Sequence, residues 1–234
     1  MIKENILGDN IGYVLLVDKM GDDNAIASAA RVSYQKGTKS VNPNEKLIDY
    51  LMQYDHKSPF EMVMFKFEMK MPIFLARQFF RYRTASFNET SLRYSEAEYD
   101  FYIPQQWRGQ AVKNKQASDV DKTIGINNDN IAKHYQNSVA LYEAMLALGV
   151  SREQARMVLP TALYTKFIMQ MNLSNLFNLL RQRLDYNTAQ WEAVKYAEAI
   201  SDIVKQHCPI AYESFLKKII TKNKTYDKNT QIKL

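Results

Sequence analysis

The chain has 234 residues, of which 46% are hydrophobic and 24% are charged. These values are typical of a globular protein with a sizeable core, and they exclude a disordered, collagen-like or coiled-coil chain. No apolar run approaches the roughly 20 residues that a membrane-spanning helix needs, and the first residues lack the pattern of a signal peptide. The only cysteine, Cys208, excludes an internal disulfide framework and a thiolate metal cluster. We therefore expect a cytoplasmic protein without a metal.

The formal net charge of +6 is concentrated at one end of the chain. Residues 217–234 contain six lysines and one aspartate, which leaves the preceding residues nearly neutral. A lysine-rich end of this kind is typical of a solvated tail. We expect one domain over residues 1–216, followed by a Lys-rich C-terminal tail over residues 217–234.

In the first part of the chain, the clearest element is a strand over residues 62–71. There Phe65, Phe67 and Met69 alternate with charged residues, which is the period of a half-buried strand. The other elements that we predict before residue 81 are a strand at 13–17 and helices at 23–31, 44–54 and 73–80.

After residue 98, we predict a short strand, a polar surface segment, and then mainly helices. Ser151 and Gln154 form a capping-box pattern, and Ser174 is placed to cap a further helix. The ranges are a strand at 99–103, a surface segment at 104–128, helices at 129–148 and 151–159, a strand at 163–171, a helix from 174 and a helix at 188–205. These elements predict an α+β fold in which several long helices pack on a mostly antiparallel sheet.

Familiar nucleotide and metal motifs are absent from the sequence. The three histidines lie far apart, and no glycine-rich loop follows a strand in a phosphate-binding pattern. Side chains would therefore have to hold any nucleotide. Arginine is the natural candidate, because its planar guanidinium matches phosphate oxygens and the carbonyl edge of a base.

Residues 81–94 are unusually rich in hydrogen-bond donors. The segment reads Arg-Tyr-Arg-Thr-Ala-Ser-Phe-Asn-Glu-Thr-Ser-Leu-Arg-Tyr, with three arginines and no glycine or proline. Composition alone allows two interpretations: an ion-paired surface segment or a site for an anionic ligand.

This segment resembles the signature of the flavin-dependent thymidylate synthases, which usually begins Arg-His-Arg and reaches a serine after seven further residues. The similarity continues in the right order to about residue 216. It also covers residues 29–33, 56–61, 77–78, 156–160, 172–178, 183–185 and 189–192.

The resemblance implies an α+β enzyme that methylates dUMP to dTMP. The carbon comes from methylenetetrahydrofolate, and NADPH supplies the reducing equivalents through bound FAD. It also implies a homotetramer whose active sites are shared between subunits. We expect no membrane as partner, and nucleic acid is a partner only in the second alternative below.

By position, the resemblance assigns residues to two ligands. Those assigned to dUMP are Gln78, Arg81, Glu89, Ser91, Leu92, Arg93, Arg156 and Arg183. Those assigned to FAD are His56, Ser58, Arg81, Tyr82, Arg83, Glu89, Asn172, Ser174 and Asn178. Arg183 is the expected catalytic residue, because a guanidinium at the uracil edge would stabilise negative charge on N3 or O2 as C5 becomes nucleophilic. The chemistry then needs no enzyme nucleophile such as Cys208.

Three departures from the family pattern keep alternatives open. Tyr82 stands where a histidine is usual, Leu92 replaces a common glycine, and residues 186–188 make that turn one residue longer. The first alternative is a hydroxymethylase on the same fold, in which water resolves the methylene intermediate. The second is a single-stranded nucleic-acid-binding protein that uses the arginines and neighbouring aromatic rings.

Overall fold

The computed structural model describes residues 1–33, 43–94, 98–112, 114 and 117–226. Within these ranges the strands are β1 (Ile2–Glu4), β2 (Tyr13–Met20), β3 (Met64–Pro72), β4 (Ser86–Glu89), β5 (Trp107–Gln110), β6 (Ser118–Ile124) and β7 (Tyr164–Asn172). The helices are α1 (Asp23–Arg31), α2 (Asn44–Gln53), α3 (Ser58–Glu61), α4 (Ile73–Phe79), α5 (Asn128–Ala147), α6 (Arg152–Ala155), α7 (Leu173–Arg183), α8 (Trp191–His207) and α9 (Pro209–Tyr226).

The main sheet is antiparallel throughout and has the strand order β1-β2-β3-β7-β4. Strands β3 and β7 form its centre, with Met64 opposite Asn172 and Pro72 opposite Tyr164. Strands β5 and β6 form a separate two-stranded sheet. The predicted α+β class with a mostly antiparallel sheet is confirmed.

The centre of the sheet follows directly from the alternation in the sequence. Phe65, Phe67 and Met69 of β3 are fully buried, whereas the charged residues between them are only partly covered. Strand β7 has the same period, with Phe167 and Met169 in the core. One face of the sheet therefore carries apolar side chains under the helices, and this face supplies much of the free energy of folding.

Each central strand leads directly into a helix that bears predicted site residues. Pro72 ends β3 and precedes α4, where its missing amide hydrogen is no loss. At the end of β7, the Asn172 side chain accepts a hydrogen bond from the Asn175 amide at 2.9 Å and so caps α7. Ser174, the cap that we predicted, lies inside the first turn of α7 because Asn172 takes that role.

Other predicted elements differ from the structure in detail. The stretch 99–103 forms only an isolated bridge between Phe101 and Leu163, since Pro104 has no amide hydrogen with which to extend a ladder. The polar segment 104–128 contains the β5–β6 hairpin, which carries too few apolar residues to show a period. Ser151 starts α6 without a side-chain capping bond, and α8 begins at Trp191 because residues 185–189 form a turn.

The predicted tail boundary at residue 217 falls inside α9. Lys218 lies within this helix and forms an ion pair with Asp55 at 2.7 Å. Residues 227–234 of the predicted tail lie outside the described residues. Among the residues that are described, no helix combines the length and the apolar composition that a bilayer crossing needs.

Candidate active site

The C-terminal ends of α4 and α7 meet at Tyr82. The Tyr82 hydroxyl donates a hydrogen bond to Gln182 Oε1 at 3.1 Å, and the Arg183 guanidinium lies 5.6 Å from the centre of the Tyr82 ring. This contact brings the donor-rich segment, which starts at Arg81, against the end of the helix that carries Arg183.

Arg183 itself is half-buried and incompletely satisfied. Its Nε atom is buried and has no hydrogen-bond partner among the described residues. A buried donor without a partner is costly, so such an atom marks a place where a ligand can complete the structure. The Arg183 side chain also lines a large cleft.

This cleft has a volume of about 1540 Å³ and lies between the loop after α2 and helices α7, α8 and α9. Of the predicted site residues, the cleft brings together His56, Ser174, Asn178 and Arg183. The His56 ring stacks on Tyr50 with the ring centres 5.8 Å apart. Ser58 opens α3 just after His56, and Asn172 caps the helix that carries Ser174.

The cleft wall carries charges of both signs. The cationic side chains that line it are Lys57, Arg181, Arg183, Lys205 and Lys218. The acidic ones are Asp55, Glu61, Asp185, Glu198 and Asp202. Asn178 also lines the cleft, and its Oδ1 accepts hydrogen bonds from Arg181 at 2.9 Å and from Gln182 at 3.2 Å. The volume and the mixed polarity suit a large ligand with both aromatic and phosphate parts.

The donor-rich segment contains two exposed arginines that are available to bind an anion. Arg81 and Arg83 are exposed, and their side chains make no hydrogen bond or ion pair to another described residue. Glu89, on β4, is fixed instead, because it accepts a hydrogen bond from the Thr165 hydroxyl at 2.7 Å. The interpretation as an ion-paired surface segment therefore fails for these two arginines.

The remaining residues assigned to dUMP lie apart from the cleft. The Arg93 backbone amide and Nε both donate to Ser91 Oγ, at 3.3 and 3.4 Å, in the turn after β4. Arg156 is exposed on a 3₁₀ turn between α6 and β7, and its Nε donates to the Glu153 carbonyl at 3.3 Å. One chain thus brings only part of the predicted set together.

The structure accounts for each of the three departures from the family pattern. Burial raises the pKa of Tyr82, and the nearby Arg183 offsets only part of that shift, so the phenol stays neutral. Leu92 lies in a turn without left-handed backbone, so the position tolerates a side chain. The longer turn is held by Asp185, which accepts hydrogen bonds from the Asn187 amide at 2.9 Å and the Thr188 hydroxyl at 2.8 Å.

Sequence reasoning gave no role to a buried polar cluster next to Gln78. The Gln78 amide nitrogen donates to Gln190 Oε1, and Gln190 in turn donates to the buried Glu192 carboxylate at 3.0 Å. Arg108 forms an ion pair with Glu192. Residues 189–192 belong to the family resemblance, but the resemblance assigns no role to Glu192, and Arg108 lies in the segment without a period.

Cys208 is fully buried, and burial raises the pKa of its thiol to about 12. A thiol of this kind stays protonated near neutral pH and is a poor nucleophile. Within the described ranges, no three His, Cys, Asp or Glu side chains converge where they could hold a metal ion.

Comparison with known proteins identifies relatives over most of the chain. Residues 15–210 match the family model of the thymidylate synthase complementing proteins. A flavin-dependent thymidylate synthase of Thermus thermophilus is 51% identical over 208 residues, which cover 87% of this chain and 75% of that protein. Another, from Thermosipho africanus, is 46% identical over 214 residues and covers 88% and 91% of the two chains.

A solved structure shares the fold. The UMP/dUMP methylase PolB from Streptomyces cacaoi, solved with 5-Br dUMP bound, superposes with a TM-score of 0.77 at 29% identity. The match covers 88% of this chain and 95% of that one. The chain therefore belongs to the thymidylate synthase complementing protein family, the family of the flavin-dependent thymidylate synthases.

Proposed function

We propose that this protein converts dUMP to dTMP with FAD as cofactor, methylenetetrahydrofolate as carbon donor and NADPH as reductant. The relatives named flavin-dependent thymidylate synthase and the fold of a UMP/dUMP methylase support this activity. The observation that carries the proposal is Arg183, whose unpartnered Nε lies where the cleft meets the donor-rich segment.

The residues present fit FAD. Arg81 and Arg83 offer a pyrophosphate two guanidinium groups that have no side-chain partner among the described residues. The other residues that would hold FAD are His56, Ser58, Tyr82, Glu89, Asn172, Ser174 and Asn178. When bound, FAD supplies hydride transfer from NADPH to the one-carbon unit.

The arginines assigned to dUMP would have two different roles, because some would contact its phosphate and one its uracil ring. Arg93 and Arg156 would neutralise the 5′-phosphate, which carries its charge in the free and in the reacting nucleotide alike. Arg183 would lie at the uracil edge, where negative charge on N3 or O2 develops only as C5 becomes nucleophilic. A donor aimed at developing charge lowers the barrier more than it strengthens binding.

No enzyme nucleophile is needed in this scheme. Ser91 has no histidine base in its segment, so its hydroxyl would hydrogen-bond the nucleotide and not attack it. Cys208 is buried and protonated. The ring carbon C5 would form a bond to the methylene carbon of the folate while the bond from that carbon to the folate nitrogen breaks, and C5 would then release its hydrogen as a proton. Arg183 would stabilise the negative charge on the uracil ring that makes this attack possible.

The test is a product analysis with the purified protein. We expect a yellow protein that converts dUMP to dTMP when methylenetetrahydrofolate and NADPH are supplied, with mass spectrometry identifying the product. Formation of 5-hydroxymethyl-dUMP would favour the hydroxymethylase. A colourless protein that binds single-stranded DNA with steep salt dependence would overturn the enzyme proposal.

A further inference from the structure

Glu192 anchors a chain of hydrogen bonds that ends at Gln78. Its carboxylate is only 4% exposed, in the first turn of α8. One oxygen, Oε1, accepts from the Tyr102 hydroxyl at 3.0 Å and from the Arg108 guanidinium. The other oxygen, Oε2, accepts from Gln190 Nε2 at 3.0 Å, and Gln190 Oε1 accepts from Gln78 Nε2.

Hydrogen-bond donors contact the Glu192 side chain from several sides. Arg108 pairs with it, and the Arg108 guanidinium lies 4.6 Å from the centre of the Trp191 ring. Burial and the carboxylate together raise the pKa of Tyr102, so the phenol remains a donor. Every contact that Tyr102, Arg108 and Gln190 make to the carboxyl group is a donation, so both of its oxygens act as hydrogen-bond acceptors.

Because Glu192 only accepts hydrogen bonds, it determines the orientation of the side-chain amides of Gln190 and Gln78. A glutamine side chain has a donating end and an accepting end, and two accepting ends cannot face each other. Gln190 must turn its nitrogen toward Glu192 and its oxygen toward Gln78. Gln78 must then turn its nitrogen inward, which leaves its oxygen for a ligand.

We propose that Glu192, acting through Gln190, fixes Gln78 as a hydrogen-bond acceptor toward the nucleotide. This proposal rests on the proposed function, in which Gln78 contacts dUMP. Two groups of dUMP can donate to such an acceptor: the N3–H of uracil and the 3′-hydroxyl of the sugar. Glu192 and Gln190 are positioning residues, because they act on the nucleotide only through Gln78.

The test uses isosteric substitutions that should reverse the orientation of the Gln190 and Gln78 side-chain amides. In Glu192→Gln, the new amide oxygen keeps Tyr102 and Arg108, so its nitrogen faces Gln190 and both glutamines must turn over. Gln78 then presents its nitrogen to a donor on dUMP. We expect the dissociation constant for dUMP, measured by calorimetry on the flavin-loaded enzyme, to rise about tenfold or more.

A second substitution should restore binding. Gln78→Glu alone places an oxygen against Gln190 Oε1 and should also weaken dUMP binding about tenfold. In the Gln78→Glu/Glu192→Gln double variant, the turned Gln190 donates to the carboxylate introduced at position 78, and an oxygen again faces dUMP. We expect the double variant to bind dUMP at least about tenfold more tightly than either single variant. Additive losses would overturn the proposal, since a merely structural role gives no rescue.

Two further variants control the experiment. Glu213→Gln removes an exposed carboxylate from α9 and should leave dUMP binding unchanged. Gln190→Met leaves Glu192 with Tyr102 and Arg108 and frees Gln78 to rotate, so it should weaken dUMP binding about three- to tenfold even if Glu192→Gln does not fold. Unchanged affinity in Gln190→Met would contradict the proposal.

Two analogues identify the donor. N3-methyl-dUMP lacks the imide hydrogen, and 2′,3′-dideoxyuridine monophosphate lacks the 3′-hydroxyl. One analogue lacks the group that donates to Gln78. Its dissociation constant for the wild-type enzyme should be about as high as that of dUMP for Glu192→Gln. The same analogue should bind Glu192→Gln no more weakly than it binds wild type. If neither analogue behaves in this way, the proposal fails. A wild-type enzyme that does not bind dUMP would instead contradict the proposed function.

Discussion

Arg183 joins two parts of the chain that are a hundred residues apart in sequence, since it lies over Tyr82 at the end of α4 and lines the cleft beside α7. We expect Arg183→Ala to make dTMP about 100- to 1000-fold more slowly, because the lost donor would stabilise charge that develops only during the reaction. Binding of dUMP and of FAD should change only modestly. Turnover at saturating dUMP, measured beside calorimetric dUMP titrations, checks both parts.

The matched control for this variant is Arg77→Ala, which removes an exposed arginine from α4. Its turnover should stay near that of wild type, since Arg77 is exposed and is assigned to neither dUMP nor FAD. Near-normal turnover in Arg183→Ala would show that Arg183 is a surface helix residue and that the catalytic group lies elsewhere.

Arg81 and Arg83 provide the second prediction at this scale. Because neither side chain has a described partner, we expect both to bind the FAD phosphates, and the Arg81→Ala/Arg83→Ala double variant should purify folded and colourless. Absorbance in the flavin bands and circular dichroism test colour and folding separately. The Arg77→Ala/Lys133→Ala double variant removes two exposed cations elsewhere and should remain yellow; full flavin retention in the first double variant would refute the assignment.

Single residues also show where sequence reasoning reaches its limit. The donor density of residues 81–94 identified the anion-binding candidates because unpaired arginines have few other roles. Glu192 lies in a stretch that resembles the family, but nothing in the sequence indicated its contact with Arg108, which comes from a segment without periodicity. Roles that depend on distant side chains meeting need the tertiary structure.

Among the elements, α1 and α9 are joined by Asp23. Asp23 is buried, with only 6% of its surface exposed. Its carboxylate accepts hydrogen bonds from the backbone amides of Ile210 at 2.9 Å and Ala211 at 3.0 Å. Asp23, which belongs to α1, therefore caps the N-terminus of α9. Burial raises the pKa of Asp23, and the two amide donors offset only part of the shift.

A pH-dependent stability follows from that raised pKa. A carboxyl group whose pKa is higher in the folded state contributes most stability while protonated, and this contribution is lost as pH rises from about 3.8 through the folded-state pKa. We expect the free energy of unfolding of wild type to fall, relative to Asp23→Asn, as pH rises through this range. Urea denaturation at several pH values measures the difference.

The control is Asp129→Asn, which removes an exposed carboxylate from the first turn of α5. A difference that does not depend on pH for Asp23→Asn would contradict the prediction. Asp23→Ala, which leaves both α9 amides without the side-chain acceptor, should cost about 1–3 kcal/mol near neutral pH, and the cost should be larger at low pH.

The elements that sequence predicted best are those with a strong period. Strands β3 and β7 alternate over nine residues each and were predicted to within about two residues at each end. Strand β4 was missed because its four residues carry little apolar character, and its pairing with β7 depends on contacts distant in sequence. The same reason applies to the β5–β6 hairpin.

At the scale of the whole molecule, the predicted site residues lie in separate places on one chain. His56, Asn178 and Arg183 share the cleft, whereas Arg93 lies in the turn after β4 and Arg156 lies on a turn beyond α6, neither of them in the cleft lining. The long helix α5 also leaves most of its surface uncovered, because Tyr142 is its only buried residue within the described chain. Both observations favour an assembly in which neighbouring subunits complete each site.

We therefore expect a homotetramer in which dilution lowers activity and flavin content together, because a site built from several subunits is lost when they separate. Light scattering should give four times the mass of the chain, and Leu141→Asp, which places a charge on the uncovered apolar surface of α5, should reduce that mass at a given concentration. Lys133→Ala, also on α5, serves as the control with a polar side chain. A monomer that stays fully active on dilution would show that one chain suffices, and that Arg93 and Arg156 bind nothing in the cleft.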